Sequence, residues 1–213
     1  MAWSAENATK AFLRTLKTGN SAMEPDVAEF ISAMAAGSGA RLMVEVCAVS
    51  AGATTLALVS AAHQTGGRVV CIVPGQDELQ ASVMQLGREA MERVELVVGD
   101  AGEMLAGVYR GADFVVVDCD VEGHERVFEV AERRAMEVSG GGLVVGYNAF
   151  HKEACSSDGG LRVDLLPIGD GLRVTRVPPA LARRSQWVVR VDECTGEEHV
   201  FRVRSPRRKW IEA

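Results

Sequence analysis

Five short runs of this chain are apolar almost throughout, and most are followed by a stretch whose apolar positions recur at helical spacing. The runs are Leu42 to Val46, Arg68 to Val73, Val94 to Val98, Phe114 to Asp118 and Leu143 to Tyr147. Strands that lack alternation are buried on both faces, as in parallel sheets. Between them, Thr54 to His63, Asp77 to Met91, Ala101 to Tyr109 and Glu122 to Val138 read as helices. The alternation predicts a Rossmann-like α/β fold, a doubly wound, mostly parallel sheet with helices on both faces.

Two more helices are expected ahead of the first strand. Ser4 to Leu16 has Ser4 as a natural N-cap, and Gly19 ends the run. Glu24 to Ala36 places Pro25 in its first turn and carries a stripe of Val27, Phe30, Ile31 and Met34, closed by Gly37 and Gly39. After Tyr147 the pattern changes to short strands, Val163 to Leu166, Leu172 to Val177, Trp187 to Val191 and Val200 to Val203. Gly169-Asp170-Gly171 and Thr195-Gly196 stand between pairs of these strands, so C-terminal antiparallel hairpins are expected. With no repeat and no low-complexity linker, the chain reads as one domain. Residues 1–40 form its N-terminal helices, 41–177 its core, and 178–213 a C-terminal hairpin and basic tail.

Composition narrows the function classes. A chain of 213 residues with 47% hydrophobic content can bury a full core. A net charge of -6 argues against a general nucleic-acid binder. The local exception, Arg202, Arg204, Arg207, Arg208 and Lys209, reads as a solvated end. The cysteines, Cys47, Cys71, Cys119, Cys155 and Cys194, include no CxxC pair, so neither a disulfide framework nor a zinc site follows from their spacing. Reduced thiols suit a cytoplasmic or nuclear protein. The first residues carry Glu6, Lys10 and Arg14 and no long apolar core, so no signal peptide or membrane span is expected. Trp3, Trp187 and Trp210 sit in the terminal segments, where they mark packing or a partner surface, and the helices before Gly37 are the expected interface of a homodimer.

The chemistry concentrates in Leu42 to Leu58, LMVEVCAVSAGATTLAL. An apolar strand ending in an acid passes into a turn of small residues and then a helix, the way a doubly wound fold builds a nucleotide pocket. Cys47, Ala48, Ser50 and Ala51 occupy the turn, and Gly52 is its one glycine.

The order of segments resembles the class I S-adenosylmethionine-dependent methyltransferases, and within them the cation-dependent O-methyltransferases of the caffeoyl-coenzyme A type. MVEVCAVSAGATTLAL, VELVVGDAGEML, FVVVDCD and the hairpin LLPIGDGLRVTRV carry the likeness, which spans roughly Glu24 to Val177. The whole chain is similar to a plant family of methyltransferase-like proteins, domain of unknown function 1442. The resemblance implies S-adenosylmethionine as cofactor and a small molecule as methyl acceptor. It places Glu45 beside the methionine moiety, Cys47, Ser50, Gly52, Ala53 and Thr54 in the turn around it, and Val73 at the ribose. Asp100 and Ala101 fall at the adenine, and Asp118 at the end of the fourth strand.

Three positions depart from the family pattern. Cys47 and Ala51 stand for glycines, Val73-Pro74-Gly75 replaces the acid that grips the ribose hydroxyls, and Asn148-Ala149 replaces an Asp-Asn pair of metal ligands. Asp77 is expected in the first turn of its helix rather than at the ribose. Asp100 can meet the adenine amino group or cap the helix after it. A divalent metal is not expected, since charge count sets affinity for hard cations. Asp120 and His124 are candidate replacements, with solvent-facing groups at a helix start as the expected reading. Asp118 and Asn148 remain the candidate catalytic pair, and His151 is a candidate base or a surface residue. An O-methyltransferase and a non-catalytic binding module of the same fold both follow from this pattern.

Overall fold

The computed structural model describes residues 3–18, 26–150, 161–179, 186–191 and 198–203. The elements run α1 (Ala5–Thr18), α2 (Val27–Ser38), β1 (Leu42–Val46), α3 (Ala53–Thr65), β2 (Arg68–Val73), α4 (Gln76–Met91), β3 (Val94–Val98) and α5 (Ala101–Ala106). They continue with β4 (Phe114–Asp118), α6 (His124–Glu137), β5 (Gly142–Tyr147), β6 (Val163–Leu166), β7 (Leu172–Val177), β8 (Gln186–Val191) and β9 (Glu198–Val203). Residues 1–179 and 180–213 form two compact units.

The first unit is a seven-stranded sheet in the order β3-β2-β1-β4-β5-β7-β6. Strands β1 to β5 pair in parallel, and β7 lies antiparallel between β5 and β6. The expected α/β architecture is therefore observed, including the hairpin that closes the sheet. In the second unit β8 and β9 form an antiparallel pair.

Period-two alternation divides the core. Met43, Val69, Cys71, Phe114 and Val116 face a cluster made with α2, α3 and α4. Val44, Val70, Ile72, Val115 and Val117 face α5 and α6. Both faces are covered, which is why the strands read as unbroken apolar runs.

Local chemistry moves several expected boundaries. Ser4 accepts the Asn7 N–H, as an N-cap should. Helix α2 starts later than Pro25 implies: Asp26 caps it, with the Asp26 N–H returned to Glu29 at 2.8 Å, and this capping box outweighs the proline signal. Pro25 itself lies outside the described residues. Helix α5 ends at Ala106, because the N–H of Gly107 turns back to Glu103 and Met104 carbonyls. Helix α4 contains a non-helical Gly87 at φ 71, ψ 171. Trp3 packs its ring over Gly37 of α2, where an added methyl group would collide with it, yet it is half exposed. No described helix is long and apolar enough to cross a membrane. His151, Cys155, Cys194, the Thr195-Gly196 turn and residues 204–209 of the basic segment lie outside the described residues.

Candidate functional site

Strand order reverses between β1 and β4, so the connections leaving their carboxyl ends diverge, and this is where doubly wound sheets hold ligands. Glu45, Val73, Asp100 and Asp118 all stand at or just beyond the carboxyl ends of their strands. The sequence-predicted residues are thus brought to one edge of the sheet, but their side chains behave differently.

Glu45 is wholly buried. The Thr54 hydroxyl donates to one carboxylate oxygen and the Thr55 hydroxyl to the other at 2.6 Å. Burial pushes the Glu45 carboxyl above the usual carboxylate range, against the pull of Thr54, Thr55 and the Cys47 thiol. Tyr147, the last residue of β5, lies in the same field. Its phenol is pushed well up by burial and then by Glu45, Cys47 and Asp118.

The loop after β1 is fastened from below. The Cys47 N–H donates to the Ile72 carbonyl at 3.0 Å. The Ala51 N–H donates to Ser82 Oγ of α4 at 2.8 Å, and the Gly52 N–H to Thr55 Oγ1 at 3.1 Å. Ser50 donates its hydroxyl to Gln85 of α4 at 3.0 Å. Cys47, Ala51 and Val73 are buried. Ala53, by contrast, is exposed at the first turn of α3, where the N-cap Gly52 makes no side-chain hydrogen bond. The Gly52 backbone N–H goes to Thr55 Oγ1, so the amino end of this 13-residue helix is bonded to its own third residue.

Asp100 is exposed and caps α5, accepting the Glu103 N–H at 2.7 Å. Ala101 is buried behind it. Asp77 sits in the first turn of α4, as expected. At the other side of the crevice Asp118 accepts the Asp120 N–H at 3.0 Å. Asn148 Nδ2 donates to Asp118 Oδ1 at 3.0 Å and to Asp120 Oδ2 at 3.2 Å. Asn148 holds this bridge from a left-handed backbone, φ 59. His124 corrects the expectation of a solvent-facing group: it is buried, with Nδ1 3.2 Å from the Val121 carbonyl and its ring edge-on to Phe128.

The divalent ion implied by the resemblance does not fit these residues. Asn148 turns its amide N–H, a donor, toward both Asp118 and Asp120, and its neutral carbonyl oxygen, which alone could ligate, brings less charge than the carboxylate the resemblance implies. Ala149 offers no ligand atom in its side chain. Toward S-adenosylmethionine, Asp100 keeps an exposed carboxylate, whereas the Ala51 and Gly52 N–H groups of the turn are bonded to Ser82 and Thr55.

Sequence reading missed Thr55, Ser82 and Tyr147. Thr55 had a signal, a hydroxyl three positions after a helix-starting glycine. Ser82 had none, because its contact with Ala51 spans 31 residues.

Solved structures with this fold include a methyltransferase from Geobacter sulfurreducens, at 22% identity and a TM-score of 0.58, covering 82% of this chain and 90% of that one. The O-methyltransferase from Bacillus cereus in complex with SAH shows 17% identity and 0.54 over 82% and 91%. The O-methyltransferase TomG from Streptomyces achromogenes in complex with SAM shows 19% and 0.55 over 84% and 92%. At these identities the likeness establishes the methyltransferase-type fold. No curated protein sequence matches the chain. The profile of the family described as Protein of unknown function (DUF1442) matches residues 1–203, and the chain belongs to that family.

Proposed function

We propose that this protein binds S-adenosylmethionine at the β1–β4 edge and transfers its methyl group to a small hydroxylated molecule without a divalent ion. One observation carries the reading: the amino end of α3, the exposed Asp100 and the acid-bearing end of β4 stand on the same edge of the sheet. The amino end of α3 receives the methionine carboxylate, Glu45 supplies negative charge behind the turn, and Asp100 accepts the adenine amino group. Val73, buried in the core, leaves the ribose without the carboxylate the resemblance implies. Asn148 and Asp118 orient the acceptor hydroxyl, and Asp118 takes its proton. When bound, S-adenosylmethionine supplies an electrophilic methyl on a sulfonium, so the protein's part is alignment of the acceptor oxygen behind that carbon.

A second reading, a non-catalytic module of the same fold, is favoured by the loop itself. The Ala51 and Gly52 N–H groups are already bonded within the protein, so they are not offered to a ligand. Calorimetry with S-adenosylmethionine and S-adenosylhomocysteine up to millimolar concentration separates the two. Methyl transfer expects one site, with Asp100→Ala binding about tenfold more weakly, the weight of one hydrogen bond to a neutral group. No heat from either compound refutes the first reading and leaves the second.

A further inference from the structure

The methyl transfer proposed above gives the side chains of Cys47 and Cys71 no role, yet they meet. Register pairs Glu45 with Cys71 across β1 and β2, and Cys47 follows Glu45 by two residues, so all three side chains project from one face of the sheet. The two sulfurs are 3.2 Å apart. One donor atom from each of Glu45, Cys47 and Cys71 lies within 4.8 Å of the other two, and all three residues are buried. Among the described residues no basic side chain answers Glu45; its partners are hydroxyls and a thiol.

The sulfur separation discriminates between two fates. Two thiolates on a tetrahedral zinc, each at about 2.3 Å, stand about 3.7 Å apart, so these sulfurs need to open by roughly half an ångström. A disulfide needs about 2.05 Å, a closure of more than about 1 Å between residues held on hydrogen-bonded strands. Thr54 and Thr55 also hold the Glu45 oxygens in place, as the outer partners of ligating carboxylates do. Two sulfur donors and one oxygen select a soft or borderline cation over magnesium or calcium.

We propose that Glu45, Cys47 and Cys71 form a binding site for a thiophilic divalent cation, with Zn²⁺ as its type, leaving a fourth position to water or another oxygen. On binding, each thiol gives its proton to solvent and its sulfur lone pair to the metal, with no change of oxidation state. The site shares Glu45 with the cofactor edge proposed above, but its test reads the metal directly and does not depend on methyl transfer.

The full chain, reduced with a phosphine and freed of metal by a chelator that is then removed, is titrated with Zn²⁺ against a chromophoric competitor, and with Co²⁺ by absorption. One equivalent of each should bind, Co²⁺ with thiolate charge-transfer bands in the near ultraviolet. Cys71→Ser and Cys47→Ser should each weaken Zn²⁺ by at least about 100-fold and diminish those bands. Cys119→Ser, in the cluster on the opposite face, should change neither. Circular dichroism checks that each variant folds; Cys47, at the end of its strand, keeps the test open if the Cys71 variant does not. A folded wild-type chain that binds no Zn²⁺, or folded Cys47 and Cys71 variants that bind it undiminished, overturns the site. So does peroxide treatment that links Cys47 to Cys71, read by peptide mass mapping, in a chain that binds no Zn²⁺.

Discussion

Two buried glutamates on opposite faces of the sheet are stabilised by different means. Glu132 of α6 accepts from the Arg173 guanidinium of β7 at 3.0 Å, and that guanidinium also lies 3.9 Å over the Phe128 ring. Glu45 has hydroxyls and a thiol, and no cation among the described residues. Burial pushes both carboxyls up, but Arg173 opposes that push on Glu132. A carboxylate paired with a guanidinium has its charge answered inside the fold, which is a structural use. One held only by hydroxyls and a thiol has no cation inside the fold to answer its charge. The contrast separates a residue that braces α6 against β7 from one poised at the ligand edge.

The largest test of this contrast removes the cation. Arg173→Met should cost about 3–5 kcal/mol by urea denaturation, since it strands a buried carboxylate. Adding Glu132→Met should recover most of that loss, because Arg173 Nε and Nη1 already lack partners among the described residues and the pair is imperfect. A double variant as unstable as the single one would show that the pair does more than neutralise itself.

A middle-sized effect is expected where the crevice has lost a charge. Asn148→Asp replaces the donor that bridges Asp118 and Asp120 with a third carboxylate, and should destabilise by roughly 1–3 kcal/mol. Millimolar Mg²⁺ should restore the lost melting temperature in the variant and leave the wild type unmoved, as thermal shift will show. Equal responses in both would mean that Asn148 is not what keeps a hard cation out.

Glu45→Gln should be the mildest, below about 1 kcal/mol near neutrality, because an amide can still bond to Thr54 and Thr55. Its signature lies in pH. An acid whose folded pKa is raised binds more protons folded than unfolded in the window above its ordinary 4.5, so it makes stability fall as pH rises through that window. The metal-free wild type should lose stability there more steeply than Glu45→Gln, measured by denaturation at several pH values. Parallel curves would show that burial does not raise the Glu45 carboxyl.

The sheet was legible because its strands are covered on both faces and so announce themselves as unbroken apolar runs. Arg68–Val73, Val94–Val98, Phe114–Asp118, Val163–Leu166 and Leu172–Val177 fall where the pattern puts them. Helix ends were less legible, because Asp26 with Glu29 competes with Pro25, and Gly107 with the run to Tyr109. The acids of the crevice were legible too, since strand ends gather them. Their partners were not. Ser82 reaches Ala51, Asn148 bridges two aspartates and Cys71 meets Cys47 only after the chain has folded, and no spacing along the sequence encodes such distances.

The left-handed backbone of Asn148 limits what this position can become. Asparagine, aspartate and glycine tolerate that conformation, whereas a branched or bulky residue would be strained. Asparagine and aspartate codons differ by a single base, so the charge at this corner of the crevice can be lost or regained in one mutational step without disturbing the turn that carries it. A family with this turn therefore keeps a short path between an amide and a carboxylate at the end of β5.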